Sequence, residues 1–209
     1  MGELAWQGVT VAWTTPSRLE GFDATDVLAM GRRQHERLLQ LGGAQRQGFL
    51  AGRALIRDLL RRDDGERVVA LDSTCERCGG PHGRPRTAGS SLSVSHGDDL
   101  VAVAVGPASV SLGVDVEPLA HAGRLAEIAP LFPADAPDLA AWTRIEAAVK
   151  ADGRGFAIDP VEVTLRVRSD ASAPGVWSAV LPHRRDPIDV VTLAGPTGHA
   201  LSLAIGSPR

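Results

Sequence analysis

The sequence predicts an α+β protein made of two similar halves, each with an antiparallel sheet. Three observations carry that expectation. Short β-prone runs joined by tight turns gather around 92–117 and again around 161–205. Helix-prone stretches interrupt them at 24–62 and 139–150, which is the mixture expected of α+β folds. The tail GHALSLAIGSP also echoes SHGDDLVAVAVGP, a histidine-containing turn followed by an alternating small-apolar strand. Two halves meeting near residue 108, at 1–108 and 109–209, follow from that echo.

Taken in order, residues 5–13 (AWQGVTVAW) alternate enough to read as a strand. Val27, Leu28, Leu38, Leu39 and Leu41 space a helix over 24–41, ended by Gly42 and Gly43. A second helix covers 45–62, with Phe49, Ile56, Leu59 and Leu60 as its buried stripe. Arg53 and Arg57 share another face at i, i+4. Residues 72–90 have the Gly, Pro, Ser and Thr content of a loop. The runs 92–96, 100–105 and 110–117, separated by short polar turns, predict an antiparallel meander. A helix over 139–150 stops at Asp152-Gly153, and strands return at 161–167, 176–181, 190–193 and 200–205.

Composition narrows the function. The chain has 209 residues, 44% of them hydrophobic, and a formal net charge of -3. A dedicated nucleic-acid binder would show a basic excess, so no nucleic-acid partner is expected. No run approaches the roughly 18–20 apolar residues needed to span a bilayer, and the N-terminus lacks a basic region leading into an apolar core. The two cysteines, Cys75 and Cys78, are too close in sequence to staple a fold, which points to a reducing, cytoplasmic setting. Of the 22 basic residues, Lys150 is the only lysine, leaving 21 arginines.

Four segments carry chemistry. In Gly113-Val114-Asp115-Val116-Glu117-Pro118, strand alternation puts both carboxylates on one face and both valines on the other. Paired oxygen donors suit Mg²⁺, which binds one or two carboxylates plus phosphate and water; a polar outer face on an edge strand is the plain alternative. In Trp142-Thr143-Arg144-Ile145-Glu146-Ala147-Ala148-Val149-Lys150, the residues Trp142, Ile145 and Val149 form an apolar arc bordered by Glu146 and Lys150. Ser93-Val94-Ser95-His96-Gly97 ends a strand in a turn, leaving His96 at its tip. Cys75, Cys78 and His82 offer zinc-type ligands, although a structural zinc site wants four and no second cysteine pair exists. The following Gly83-Arg84-Pro85 reads as a rigid turn that exposes backbone groups and one guanidinium.

Together, GFLAGRALIRDLL, HGRP, SVSHGDDLVAVAV, GVDVEPL and WTRIEAAVKADGRG occur in an order that resembles the 4′-phosphopantetheinyl transferases. The likeness is to the larger, two-half type that activates surfactin-synthetase-like systems and serves polyketide and nonribosomal peptide synthetases. It spans about residues 49–155. The resemblance implies a monomeric pseudo-dimer of α+β halves with coenzyme A in the cleft between them, residues 1–108 on the coenzyme A side and 109–209 carrying the metal and catalytic motifs. It implies Mg²⁺ on Asp115, Glu117 and Glu146, with Glu146 as base and Lys150 on phosphate. It also implies coenzyme A contacts from Arg53, His82, Gly83, Arg84, Pro85, Ser95 and His96, Arg53 reaching the 3′-phosphate. The partner would be an acyl or peptidyl carrier protein whose serine receives the phosphopantetheine arm.

Two features depart from that pattern. The family places lysine immediately before the motif glutamate, and this chain has Ile145, with Arg144 the nearest replacement charge. The segment between Glu117 and Trp142 is also short for the family. These departures define a rival, a relative that binds coenzyme A or a carrier domain without transferring the arm. A rival of another class is a small zinc-binding interaction module centred on Cys75, Cys78 and His82.

Overall fold

The structure, a computed structural model, describes residues 1–18, 21–64, 69–132, 136–169 and 175–209. The chain divides into two compact units, Met1–Ala108 and Ser109–Arg209. Among the described residues no helix is long and apolar enough to cross a membrane.

Unit 1 begins with a hairpin, β1 (Gly2–Trp6) and β2 (Val9–Thr14). The predicted single strand over 5–13 is therefore two. Gln7 and Gly8 both adopt positive φ, 47° and 76°, as a two-residue hairpin turn requires, and glutamine is an uncommon residue there. Three helices follow, α1 (Ala24–Ala29), α2 (Arg32–Leu39) and α3 (Gly43–Asp64). The expected helix over 24–41 is broken at Gly31, whose φ of 136° no side-chain-bearing residue adopts readily. A Cβ there would also lie 2.9 Å from the Leu71 carbonyl oxygen. β3 (Ser90–His96) and β4 (Val101–Pro107) complete an antiparallel sheet in the order β1-β2-β4-β3. Phe49, Leu50, Ala54, Leu55, Ile56 and Leu59 of α3 pack on Ala12, Leu92, Val103 and Val105 of that sheet. Val27, Met30 and Leu38 of the short-helix region close the core.

Unit 2 opens with β5 (Ser111–Pro118), continues through short helical turns and α4 (Leu125–Ile128), and then forms α5 (Leu139–Asp152). Asp138 caps α5 by accepting from Ala141 N at 2.7 Å, and Gly153 ends it with φ 88°. β6 (Thr164–Val167), β7 (Val176–Val180), β8 (Ile188–Leu193) and β9 (His199–Gly206) follow, giving the antiparallel order β5-β9-β8-β7-β6. The predicted meander through 110–117 is corrected here. β4 already has β2 and β3 on its two edges, so β5 pairs instead with β9 along its whole length, from Ser111↔Gly206 to Pro118↔His199.

The units share a motif. In each, a strand leads through a helix to two further strands, and the last of them lies in the middle: β2, α3, β3, β4 in order β2-β4-β3, and β5, α5, β8, β9 in order β5-β9-β8. Unit 1 adds β1 beside β2, and unit 2 adds β6 and β7 beside β8. The echoed tail segment and its earlier counterpart are thus the equivalent central strands β9 and β4.

Candidate functional site

Unit 1 contains a cavity of about 610 Å³, in the size range of small-ligand sites. Its lining includes Arg37, Phe49, Arg53, His82, His96 and Asp98. His96 reaches it because α3 keeps glycine where the sheet comes near. Cβ atoms on Gly48 and Gly52, one turn apart, would meet the His96 ring at 3.4 and 3.6 Å. His96 therefore lies over α3 at the end of β3. Arg53 is only 5% exposed, stacked 4.2 Å from the Phe49 ring centroid. Its Nε donates to Gln34 Oε1 at 2.7 Å, and Gln34, itself fully buried, donates to Ser73 Oγ at 2.8 Å. Burial, with the charge of Arg37, pushes the Arg53 guanidinium down to about 10, so it stays cationic at neutral pH.

The loop expected over 72–90 supplies the other wall. Asp72 and Arg86 pair through both backbone groups, at 2.8 and 2.9 Å, making the base of a hairpin-like excursion. Gly83 is required where the chain folds back, since a Cβ there would lie 2.6 Å from the Thr74 carbonyl oxygen. His82, Gly83 and Pro85 line the cavity. Arg84 does not: it turns inward and donates twice to the Leu92 carbonyl, at 3.0 and 2.7 Å, tying the loop to β3. Its expected exposure toward a ligand is corrected accordingly. Val94 and His96 line the cavity, and alternation puts the buried Ser95 on the opposite face of β3.

Unit 2 brings together the other predicted residues. α5 crosses β5 at Gly113, where an added Cβ would overlap the Ala147 carbonyl oxygen and approach Ala151 N to 2.6 Å. Ala147, Ala148 and Ala151 are buried at this crossing. Glycine on the strand and alanines on the helix thus bring the two backbones together, and Lys150 reaches β5. Its Nζ donates to Asp115 Oδ1 at 2.5 Å and to the Val114 carbonyl at 3.2 Å. β5 is the edge strand of its sheet, yet it presents no polar outer face at Asp115, which is 4% exposed; Val114 and Val116 are fully buried on the other side. Glu117 Oε2 lies 3.1 Å from His121 Nδ1, one turn further on. Burial raises the Glu146 carboxyl above its usual range, the negative charges of Asp115 and Glu117 add to the rise, and Lys150 opposes it.

Three carboxylates and one ammonium are thus coupled within one unit, with Glu146 on the helix that packs against β5. The oxygens do not close into a tight cage. Among the described residues, only Cys75, Cys78 and His82 hold three potential ligand atoms within 4.8 Å of one another.

No family model matches this chain. No curated protein matches it either.

Ile145, where the family motif carries lysine, is 4% exposed and packs with Val149, Ile158, Val163 and Ala204 in the unit 2 core. It lies inside the apolar surface rather than at its edge. Arg144 does not stand in for the missing charge. It donates to Thr192 Oγ1 at 2.9 Å and stacks 4.5 Å from the Trp177 ring centroid, on the sheet side of the helix.

Sequence reasoning missed four positions: Arg37 and Gln34 in unit 1, and Gly113 and His121 in unit 2. The i, i+4 spacing of Glu117 and His121 was available, but Pro118 obscured the helical turn that joins them. Nothing local marks Gln34, whose role depends on partners 19 and 39 residues away.

Proposed function

We propose that the chain is a 4′-phosphopantetheinyl transferase, moving the arm of coenzyme A to a serine of an apo acyl or peptidyl carrier protein with Mg²⁺. The observation that carries this reading is the coupling of Asp115, Glu117, Glu146 and Lys150 around the β5–α5 crossing. A raised Glu146 beside two other carboxylates is the electrostatic pattern of a place that favours a cation. The donor set is all oxygen, which fits Mg²⁺ completed by phosphate and water. Bound there, the ion would neutralise charge developing on the pyrophosphate oxygens.

The remaining roles belong to the chain itself. Lys150 holds Asp115 in place and brings a compact positive charge beside the carboxylates, where a guanidinium would not substitute in the same geometry. His121 orients Glu117. Glu146 is the proton acceptor: the serine oxygen gives up its proton as it bonds to the β-phosphorus. The bond from that phosphorus to the bridging oxygen breaks, and adenosine 3′,5′-bisphosphate leaves with the electron pair. The unit 1 cavity supports a nucleotide-binding role, because Arg37, Arg53 and His96 offer cations and donors beside the apolar Phe49 and Pro85.

Incubation with coenzyme A, Mg²⁺ and a panel of apo carrier proteins, followed by intact mass measurement, tests the reading. The expected result is a carrier heavier by one phosphopantetheine, abolished by EDTA. Coenzyme A binding with every carrier unmodified would instead favour the non-transferring relative.

A further inference from the structure

We infer that Cys75, Cys78 and His82 form a zinc site that fastens the 72–86 excursion, with water as the fourth ligand. This inference is independent of the transfer reaction. Cys78 Sγ lies 3.0 Å from His82 Nε2, and the Cys75 sulfur joins them within 4.8 Å. Tetrahedral zinc, with Zn–S near 2.3 Å and Zn–N near 2.05 Å, needs ligand atoms about 3.6–3.8 Å apart. The three groups are therefore already at the spacing one such ion imposes, to within small side-chain movements.

The backbone around them has the form of a metal knuckle. Cys75 N donates to the Gly80 carbonyl and Gly79 N to the Cys75 carbonyl, both at 2.8 Å, closing a tight turn around the sulfurs. Gly80 N points at Cys78 Sγ, 3.4 Å away, the kind of N–H···S contact that supports a thiolate ligand. The two glycines after Cys78 have separate reasons to be glycine. Gly79 has φ 71°, and a Cβ on Gly80 would crowd the His82 ring at 3.0 Å and Cys78 Sγ at 3.3 Å. Position 80 thus keeps clear the space between two of the ligands. Thiolate and imidazole donors select zinc over the Mg²⁺ suited to the unit 2 carboxylates.

The chain has no other cysteine, and among the described residues no fourth Cys, His, Asp or Glu joins the cluster, which leaves the last position to water. The exposure of Cys78 and His82 gives that water access. Because Gly83 and Pro85 follow directly and line the cavity, the ion would stiffen one wall of it.

The test uses tag-free protein purified without chelator. Elemental analysis should find one zinc per chain, and both thiols should resist a thiol reagent until a chelator is added. After zinc removal, titration with Co²⁺ should produce thiolate-to-metal charge transfer and the visible bands of a tetrahedral site. Cys75→Ser and His82→Ala should each lower zinc content to about a tenth of a site or less. Metal-free wild type with freely reacting thiols, no Co²⁺–thiolate absorption, or a Cys75–Cys78 disulfide would overturn the inference. Since the cobalt measurement uses wild type, poor folding of a variant would not shield it.

Discussion

The two units use the same strand–helix–strand–strand order and solve its closest packing problem in opposite ways. In unit 1 the small residues are on the helix: Gly48 and Gly52 of α3 give way to Val94, His96 and Val101 of the sheet. In unit 2 the glycine is on the strand, and Gly113 receives the backbone of α5. The first arrangement leaves room beside the contact, and a cavity rich in cationic side chains opens there. The second brings the backbones together, and the side chains flanking the contact, Asp115 and Lys150, meet at 2.5 Å. A repeated topology thus frames two different side-chain clusters, and the position of glycine separates them.

The sharpest test of that contrast is a pair of glycine substitutions followed by urea unfolding. Gly113→Ala should destabilise by more than about 3 kcal/mol, because the methyl group overlaps helix backbone that cannot move without repacking. Gly52→Ala should change stability by no more than about 1 kcal/mol in either direction. Its new contacts start at 3.4 Å, and alanine gains about that much helix propensity. Equal costs would break the comparison.

Ile145→Lys should cost about 3 kcal/mol, since a charged head would have to leave a core in which Ile145 is 4% exposed. It should bring no gain in transfer. A faster variant would show that the family lysine is a missing catalytic part rather than a position given over to packing.

Asp152, at the end of α5, anchors unit 2. Its buried carboxylate accepts from Arg154 Nε at 2.6 Å and faces Arg184 at 3.4 Å. Burial opposes ionisation, but the hydrogen bonds and charge of Arg154, joined by Arg184, hold the carboxyl below its usual range. With the folded value depressed, the stabilisation is complete above the ordinary carboxylate value of about 4 and is lost as pH falls through the folded value. Melting temperature should therefore drop on acidification below about pH 4. Asp152→Asn should cost about 2–3 kcal/mol at neutral pH and flatten that part of the acid slope. An unchanged slope would remove Asp152 from the account.

The smallest effect belongs to His121→Ala. If Glu117 binds Mg²⁺ as proposed, removing the histidine that holds it should raise the Mg²⁺ concentration needed for half-maximal transfer about tenfold, with little loss at saturating Mg²⁺. An unchanged Mg²⁺ requirement would leave His121 a surface contact.

Much of this arrangement was legible in the sequence, because it rests on local periodicity. The helices over 45–62 and 139–150, the alternating β runs and the shared face of Asp115 and Glu117 needed only spacing. What escaped depended on pairing between distant segments. Whether β5 pairs with β4 or β9 is decided by which edges are already taken, and no local run encodes that. The break between α1 and α2 follows from Gly31 meeting Leu71, forty residues on. Arg84 reads as a ligand-facing guanidinium until the fold shows the Leu92 carbonyl that it holds. Ser95 stands beside His96 in the sequence, but strand alternation puts the two side chains on opposite faces of β3.

The central claim is that unit 1 binds the nucleotide and unit 2 performs the transfer. Steady-state kinetics on one apo carrier protein, comparing wild type with His96→Ala and Asp115→Asn, tests it most directly. Asp115 is buried against Lys150, so the isosteric asparagine keeps the packing that alanine would lose. The account predicts that His96→Ala raises KM for coenzyme A about tenfold with kcat nearly unchanged, and that Asp115→Asn lowers kcat by about 100-fold or more. Full kcat in the Asp115→Asn enzyme, or loss confined to the same parameter in both variants, would contradict it.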